Sequence, residues 1–149
     1  MKKYSFRLQT VLEMREKKLE NKRREMAAVI TKLNEQNEVL EGLISKQNNA
    51  RETLENIYTS GNELDILEVT NYKNYIGKMI VDAQNQQKVI EQTQHLLRFK
   101  QHEVTEALKE VKVLEKLKET QEKKFYQHYE YIQAKEIDDI ASTRYKKAS

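Results

Sequence analysis

The sequence predicts an all-α protein: a long two-helix antiparallel coiled-coil hairpin in which the second helix overhangs the first at its C-terminal end. The 149 residues contain no proline and 3 glycines, so the chain has few places to turn. Charged residues make up 34% of the chain and hydrophobic residues 38%, a composition typical of long helices rather than of a globular core. Apolar residues also recur every seven positions, which predicts a left-handed supercoil with a narrow apolar seam.

The first predicted helix covers about residues 5–58 and carries two rows with a period of seven. Polar members of these rows weaken the apolar seam and favour a single register. The first row is Leu12, Leu19, Met26, Leu33, Leu40, Gln47 and Leu54. The second row is Leu8, Arg15, Lys22, Val29, Gln36, Leu43, Ala50 and Ile57.

A connection is predicted at about residues 59–68, where Gly61 is the clearest helix terminator of the chain. We expect Asn62 to cap the following helix, with Asp65 placed favourably near its positive end. The pattern leaves open whether residues 63–70 form a short helix or an ordered loop.

The second predicted helix covers about residues 69–145 and repeats the pattern. Its main row is interrupted only by Lys118, and its companion row is more polar. The main row is Val69, Ile76, Ala83, Ile90, Leu97, Val104, Val111, Lys118, Phe125 and Ile132. The companion row is Tyr72, Met79, Gln86, Thr93, Lys100, Ala107 and Leu114.

A short connection between two such helices favours one antiparallel hairpin over residues 1–149, whereas periodicity alone also allows a parallel dimer. At 1.5 Å per residue the helices would be roughly 80 Å and roughly 115 Å long, so the first would end opposite about residue 120. The overhang would then hold apolar side chains with no partner in the chain, which suggests a partner protein, a frayed end or a dimer. These residues are Phe125, Tyr126, Tyr129, Tyr131, Ile132 and Tyr145.

No pattern in the sequence indicates catalysis. It contains no glycine-rich phosphate loop and no nucleophile motif with a base. His95 and His102 are two helical turns apart, roughly 10 Å, which is too far for one metal ion. We therefore expect no enzymatic activity, no cofactor, no metal site and no small-molecule ligand.

Composition also predicts the compartment and argues against nucleic acid. The chain has no cysteine, no apolar run near the roughly 20 residues of a membrane span and no signal-peptide pattern, so we expect a cytoplasmic setting. The 27 basic and 24 acidic residues are close to balance, as on a solvated helix surface with many ion pairs. A helical arm that binds nucleic acid is the rival interpretation. It predicts that the affinity for nucleic acid falls steeply as the salt concentration rises.

Four stretches, in order, resemble the FliJ family of the bacterial flagellar type III export apparatus. The first is Tyr4-Ser5-Phe6-Arg7-Leu8-Gln9-Thr10-Val11-Leu12 followed by Arg15, and the second is Asn71-Tyr72-x-x-Tyr75-Ile76. The third is Lys112-x-Leu114-Glu115-Lys116-Leu117, and the fourth is Lys135-Glu136-x-Asp138-Asp139-Ile140-Ala141-x-x-Arg144. Ala134 and Asp139 depart from the family pattern, which puts the C-terminal contacts in doubt. The injectisome relatives share the hairpin, but the FRLQ opening favours the flagellar branch.

The resemblance implies a stalk similar to the central helices of rotary ATPases. Its partners would be a FliI-like export ATPase with a FliH-like regulator, a FlhA-like export gate and export chaperones, at the flagellar base on the inner membrane. It implies contact with the ATPase ring through Leu8, Leu12, Arg15, Phe125, Tyr129, Asp138 and Asp139. It implies contact with the gate through Leu43, Tyr72, Tyr75 and Met79, although all four would serve equally as hairpin core. A generic coiled-coil scaffold or adaptor is the remaining alternative.

Overall fold

The computed structural model describes residues 3–148, which form two long α-helices packed against each other and no strand. Helix α1 spans Gln9–Thr59 and helix α2 spans Ile66–Ala148. The predicted all-α hairpin is confirmed. The prediction of one domain over residues 1–149 stays a prediction, and residues 1, 2 and 149 lie outside the described residues. The chain forms two compact units.

Helix α1 begins at Gln9, four residues later than the predicted start near residue 5. The backbone N–H of Gln9 donates to the Phe6 carbonyl over 3.1 Å, so a tight turn precedes the helix. Phe6 is only 6% exposed because its ring packs against the neighbouring helices. Burial of the Phe6 ring stabilises the fold by about 1.5–3 kcal/mol. One further helical turn of polar residues at the start of α1 would contribute less.

The connection follows the predicted glycine but has a different cap. Gly61 has a φ of 74°, the left-handed conformation that ends a helix without steric cost. Helix α2 then begins at Ile66, three residues before the predicted start. The backbone N–H of Leu67 donates to Asp65 Oδ1 over 3.0 Å, so Asp65 is the N-cap. The prediction that Asn62 caps α2 is wrong because Asp65 immediately precedes the first helical turn.

The first unit comprises residues 1–22 and 104–149, described from residue 3 to residue 148. Its apolar interior is continuous, and partly buried residues Tyr4, Leu8, Val104 and Leu108 pack against it. The buried members are Phe6, Leu12, Leu19, Ala107, Val111 and Leu114. Lys118, the polar interruption of the main row, donates from Nζ to Gln9 Oε1 over 2.9 Å. Its aliphatic stem therefore occupies the seam while its ammonium group reaches a polar partner.

The second unit, residues 23–103, has a more polar seam. Gln86 Nε2 donates to the Gln36 carbonyl over 2.9 Å, and the buried Thr93 hydroxyl donates to the Val89 carbonyl over 3.2 Å. Lys100 Nζ lies 3.2 Å from Glu25 Oε2 and 3.7 Å from Glu103 Oε2. The apolar residues buried in this unit are Val29, Ala50, Leu54, Met79 and Ile90.

Burial follows the predicted rows closely. Every member of both α1 rows is buried or half-buried. The same holds for both α2 rows as far as Phe125, and only Ile132 is exposed. The seven-residue period therefore predicted the seam of both units, and the seam stops before residue 132.

We expect Asp65→Ala to lower the free energy of unfolding by about 1 kcal/mol, because the substitution leaves the Leu67 N–H without its capping acceptor. Urea unfolding followed by circular dichroism measures the change. Asn62→Ala is the matched control and should stay within about 0.5 kcal/mol of the parent chain. Equal losses from the two substitutions would contradict the assignment of the cap.

Candidate interaction surfaces

The C-terminal end of α2 is a solvent-exposed helical segment of the first unit. Every residue from 131 to 147 is exposed, and we call this segment the overhang. Its large apolar side chains are Tyr131, Ile132, Ile137, Ile140 and Tyr145. Thr143 Oγ1 donates to the Asp139 carbonyl over 2.8 Å, a bond within the helix itself. The overhang therefore presents apolar residues that its own unit does not cover.

The root of the overhang is tied to the start of the chain. The Tyr4 and Phe125 ring centroids are 5.5 Å apart, a distance typical of a stabilising aromatic pair. The Tyr4 hydroxyl donates to Gln121 Oε1 over 3.4 Å. The prediction that Phe125 has no partner in the chain is wrong, because the segment before α1 folds against α2 instead of extending α1.

The residues predicted to contact the ATPase ring occupy different environments. Leu12 is 3% exposed and belongs to the interior, and Leu8 is half-buried against the same interior. Phe125 and Tyr129 line one groove of the first unit together with His128 and Ile132. The remaining predicted residues lie elsewhere in that unit.

Arg15 lines a separate groove with Val11, Met14, Lys18 and Glu110. Glu110 Oε2 lies 3.4 Å from Lys18 Nζ, so an ion pair closes one side of this groove. Asp138 and Asp139 are exposed on the overhang, and Asp139 lines a third groove with Ile140 and Arg144. The structure thus brings Phe125 and Tyr129 together but does not place Arg15 or the aspartates in their groove.

The residues predicted to contact the gate lie in the second unit. Met79 is 6% exposed, and Leu43 and Tyr72 are half-buried, as expected for members of the seam rows. Tyr75 is 41% exposed and lines a groove with Tyr72 and Leu67. Tyr72 and Tyr75 are therefore available to a partner, whereas Met79 serves the interior of the hairpin.

Sequence analysis missed an exposed apolar surface around the connection. Tyr58, Leu64, Ile66 and Leu67 are each close to half exposed or more. The sequence allows either helix or loop for the segment ELDILE, so it does not assign the apolar residues of this segment to a face. The usable signal was Asp65 directly before an apolar pair, an N-cap pattern that places Ile66 and Leu67 in the first helical turn.

Within residues 3–148, no cluster of three or more histidine and acidic side chains has the arrangement of a metal site. Neither α1 nor α2, over its described residues, contains a stretch long and apolar enough to cross a membrane.

This fold defines a helical hairpin protein whose apolar residues beyond the seam lie on open surfaces. Comparison with known protein families identifies the family of the chain. The family model described as Flagellar FliJ protein matches residues 4–149, so the chain belongs to the FliJ family and is a component of the flagellar export apparatus. The resemblance seen in the four sequence stretches is confirmed. No curated protein and no solved structure matches the chain.

We expect Met79→Ala to lower the free energy of unfolding by about 2–5 kcal/mol, because it leaves a cavity in the seam of the second unit. Tyr75→Ala, four residues earlier on the same helix, should lower that energy by much less, because Tyr75 is 41% exposed and lies outside the seam rows. Urea unfolding of both variants measures the difference. A Tyr75 variant as unstable as the Met79 variant would contradict this division between surface and interior.

Proposed function

We propose that the chain is a non-enzymatic stalk of the flagellar export apparatus. It binds the ring of the FliI-like export ATPase, promotes ATP hydrolysis and couples the ring to the FlhA-like gate. The observation that carries this proposal is the overhang, since residues 131–147 are helical and each of them is exposed. Membership of the FliJ family supports the same setting.

The overhang needs a partner for physical reasons. An isolated helix of this length is marginal in water, so packing against another surface would stabilise it. Tyr129, Ile132 and Ile140 are separated by three and eight residues, and so lie on one helix face. Burying such a face stabilises a complex by about 25 cal/mol per Å² of apolar area. A protein surface that covers this face would therefore gain both apolar burial and helix order.

The contact with the ring is proposed to begin at the root of the overhang and continue along it. Phe125 and Tyr129 supply the groove at the root, and Asp138 and Asp139 supply charge further along. Arg15 adds a second, separate contact on α1. Leu8 and Leu12 act indirectly in this proposal, because they hold the start of α1 against α2.

The mechanism is proposed to be differential binding. A single stalk in a six-fold ring contacts its subunits unequally, and unequal contacts favour different conformations of those subunits. Binding energy that differs between states is sufficient to shift the ring between them. No step of this mechanism requires a catalytic group on the stalk.

The contact with the gate is proposed to use the exposed tyrosines of the second unit. Tyr75 and Tyr72 line one groove at the start of α2. Leu43 and Met79 support that region from the seam. The FliH-like regulator and the export chaperones are proposed as further partners, with the stalk located on the cytoplasmic side of the inner membrane at the flagellar base.

We expect deletion of residues 131–149 to abolish stimulation of the cognate export ATPase. The deletion removes no described residue that packs in the seam, so the remaining hairpin should stay helical. ATP turnover at fixed ionic strength, with and without the protein, measures the effect, and circular dichroism monitors the fold.

Point variants provide the matched control. Ile132→Ser with Ile140→Ser alters two exposed residues of the overhang, whereas Val113→Ser with Leu117→Ser alters two exposed residues earlier on α2. Only the first pair should reduce stimulation. Unchanged stimulation after the deletion, or equal loss from both pairs, would contradict the proposed ring contact.

We expect Tyr75→Ala to weaken binding of the cytoplasmic part of the gate by roughly tenfold, since exposed tyrosines often dominate interface energy. Phe99→Ala, which removes another exposed aromatic ring of α2 in the same unit, is the control and should leave the affinity unchanged. Isothermal titration calorimetry measures both. Weaker binding of the Phe99→Ala variant, with unchanged binding of the Tyr75→Ala variant, would contradict a gate contact at Tyr75.

A further inference from the structure

The connection between the helices combines negative charge with exposed apolar residues. We call residues 52–72, together with Tyr75, the tip. Residues 52–72 contain five acidic residues and no basic residue, in a chain whose formal net charge is +3. The acidic residues are Glu52, Glu55, Glu63, Asp65 and Glu68.

The ends of the two helices do not cancel this charge. Helix α1 has no basic residue in its last turn, so its C-terminal carbonyl groups add a partial negative charge at the tip. Helix α2 starts with a partial positive charge, but Asp65 caps it and Glu68 lies in its first turn. Residues 52–72 therefore carry a net negative charge, bordered in sequence by the cations Arg51 and Lys73.

Apolar side chains lie among these carboxylates. Ile66 is 79% exposed and Leu67 is 69% exposed, and the two residues are adjacent in sequence. Tyr58, Leu64 and Tyr75 are exposed as well. An apolar patch rimmed by polar groups is the usual form of a protein interaction site.

Two grooves lie at the tip, and one of them includes Leu67 and Tyr75 of this patch. One is lined by Leu67, Tyr72 and Tyr75 and is bordered by Asp65 and Glu68. The other is lined mostly by polar residues, which include the same two carboxylates as well as Glu63. The carboxylates thus stand between an apolar groove and a polar one, where a single bound segment would contact both.

We propose that the tip is a docking surface for a cationic amphipathic helix of a partner protein. The apolar side of such a helix would cover Leu67 and Tyr75, and its lysine or arginine side chains would pair with Glu63 and Glu68. Lysine or arginine would also stack favourably on the faces of the two tyrosines. Charge complementarity of this kind increases the association rate and selects against acidic partners.

The same charge disfavours other occupants. An anionic membrane surface would repel the tip, because its carboxylates carry the same sign as acidic lipid headgroups. Two tips from two copies of the chain would repel each other for the same reason. The groove includes Tyr72 and Tyr75, so for those two residues the inference rests on the proposed gate contact.

The test uses the full chain and two synthetic helical peptides of about 18 residues, five turns each. One peptide has an apolar face of leucine and a polar face of lysine, and the other replaces every lysine with glutamate. Fluorescence anisotropy measures their affinity at about 0.05 M and about 0.5 M NaCl, which changes the screening length several-fold. We expect binding of the lysine peptide, weaker at the higher salt, and no binding of the glutamate peptide.

Charge variants locate the site. Glu55→Gln, Glu63→Gln and Glu68→Gln together remove three charges from the tip and keep Asp65, which caps α2. Glu35→Gln, Glu38→Gln and Glu41→Gln together remove the same charge from exposed positions of α1 in the same unit. We expect roughly tenfold weaker binding for the tip variant and less than about twofold for the control.

Leu67→Ser tests the apolar part and should also weaken binding by roughly tenfold, with circular dichroism confirming that the helices persist. Equal weakening by the tip and control variants, or equal binding of both peptides, would overturn the proposal. Self-association of the chain that the tip variant abolishes would also overturn it, since the occupant would then be a second copy. The peptides contain no export component, so failure here is distinct from failure of the ATPase or gate experiments.

Discussion

The single seam between two helices is the constraint on which the structure depends. A pair of helices buries one narrow stripe from each partner, so most side chains remain in water whatever their chemistry. In the first unit that stripe is almost wholly apolar, from Phe6 to Leu19 on one side and from Ala107 to Leu114 on the other. In the second unit, glutamine and threonine enter the stripe and must find hydrogen-bond partners there. Stability and surface chemistry are thus linked, because every apolar residue outside the seam stays exposed to water unless a partner protein covers it.

The polar residues of the seam define how the helices are aligned. Lys118 donates to Gln9, and Gln86 donates to the Gln36 carbonyl, so a shift of one heptad would leave these groups without their partners. An apolar stripe of uniform leucines would tolerate such a shift, whereas a buried amide or ammonium group does not. The seam of the second unit is therefore less apolar, but its polar contacts favour a single alignment of the two helices. Fixed alignment in turn fixes which exposed residues share a face, including the tyrosines at the start of α2.

Periodicity predicted the seam because burial in a coiled coil repeats every seven residues, and that repeat is visible in the sequence. It failed at Phe6, which was predicted to be helical but leaves the helical path because α2 offers an apolar surface more than a hundred residues further along the chain. Local pattern contains no information about such a distant surface. Among the candidate contact residues, Leu12 and Met79 lie on seam rows and are buried, whereas the family resemblance named them without regard to burial. The exposed pair Ile66 and Leu67 was not predicted as a surface, because the predicted cap was Asn62 and the predicted start of α2 lay near residue 69, whereas Asp65 is the cap.

The contact of Tyr4 with Gln121 and Phe125 also bears on how the chain folds during synthesis. The second unit is closed by residues that all emerge by residue 103, and its helices are joined by a short connection. The start of α1 has no such neighbour until residues 104–125 have left the ribosome, because its partners are more than a hundred positions away. Closing so long a loop carries a larger entropic cost than closing the connection. Phe6 and Leu12 therefore stay exposed until residues 104–125 have been synthesised, so the first unit completes its folding after the second.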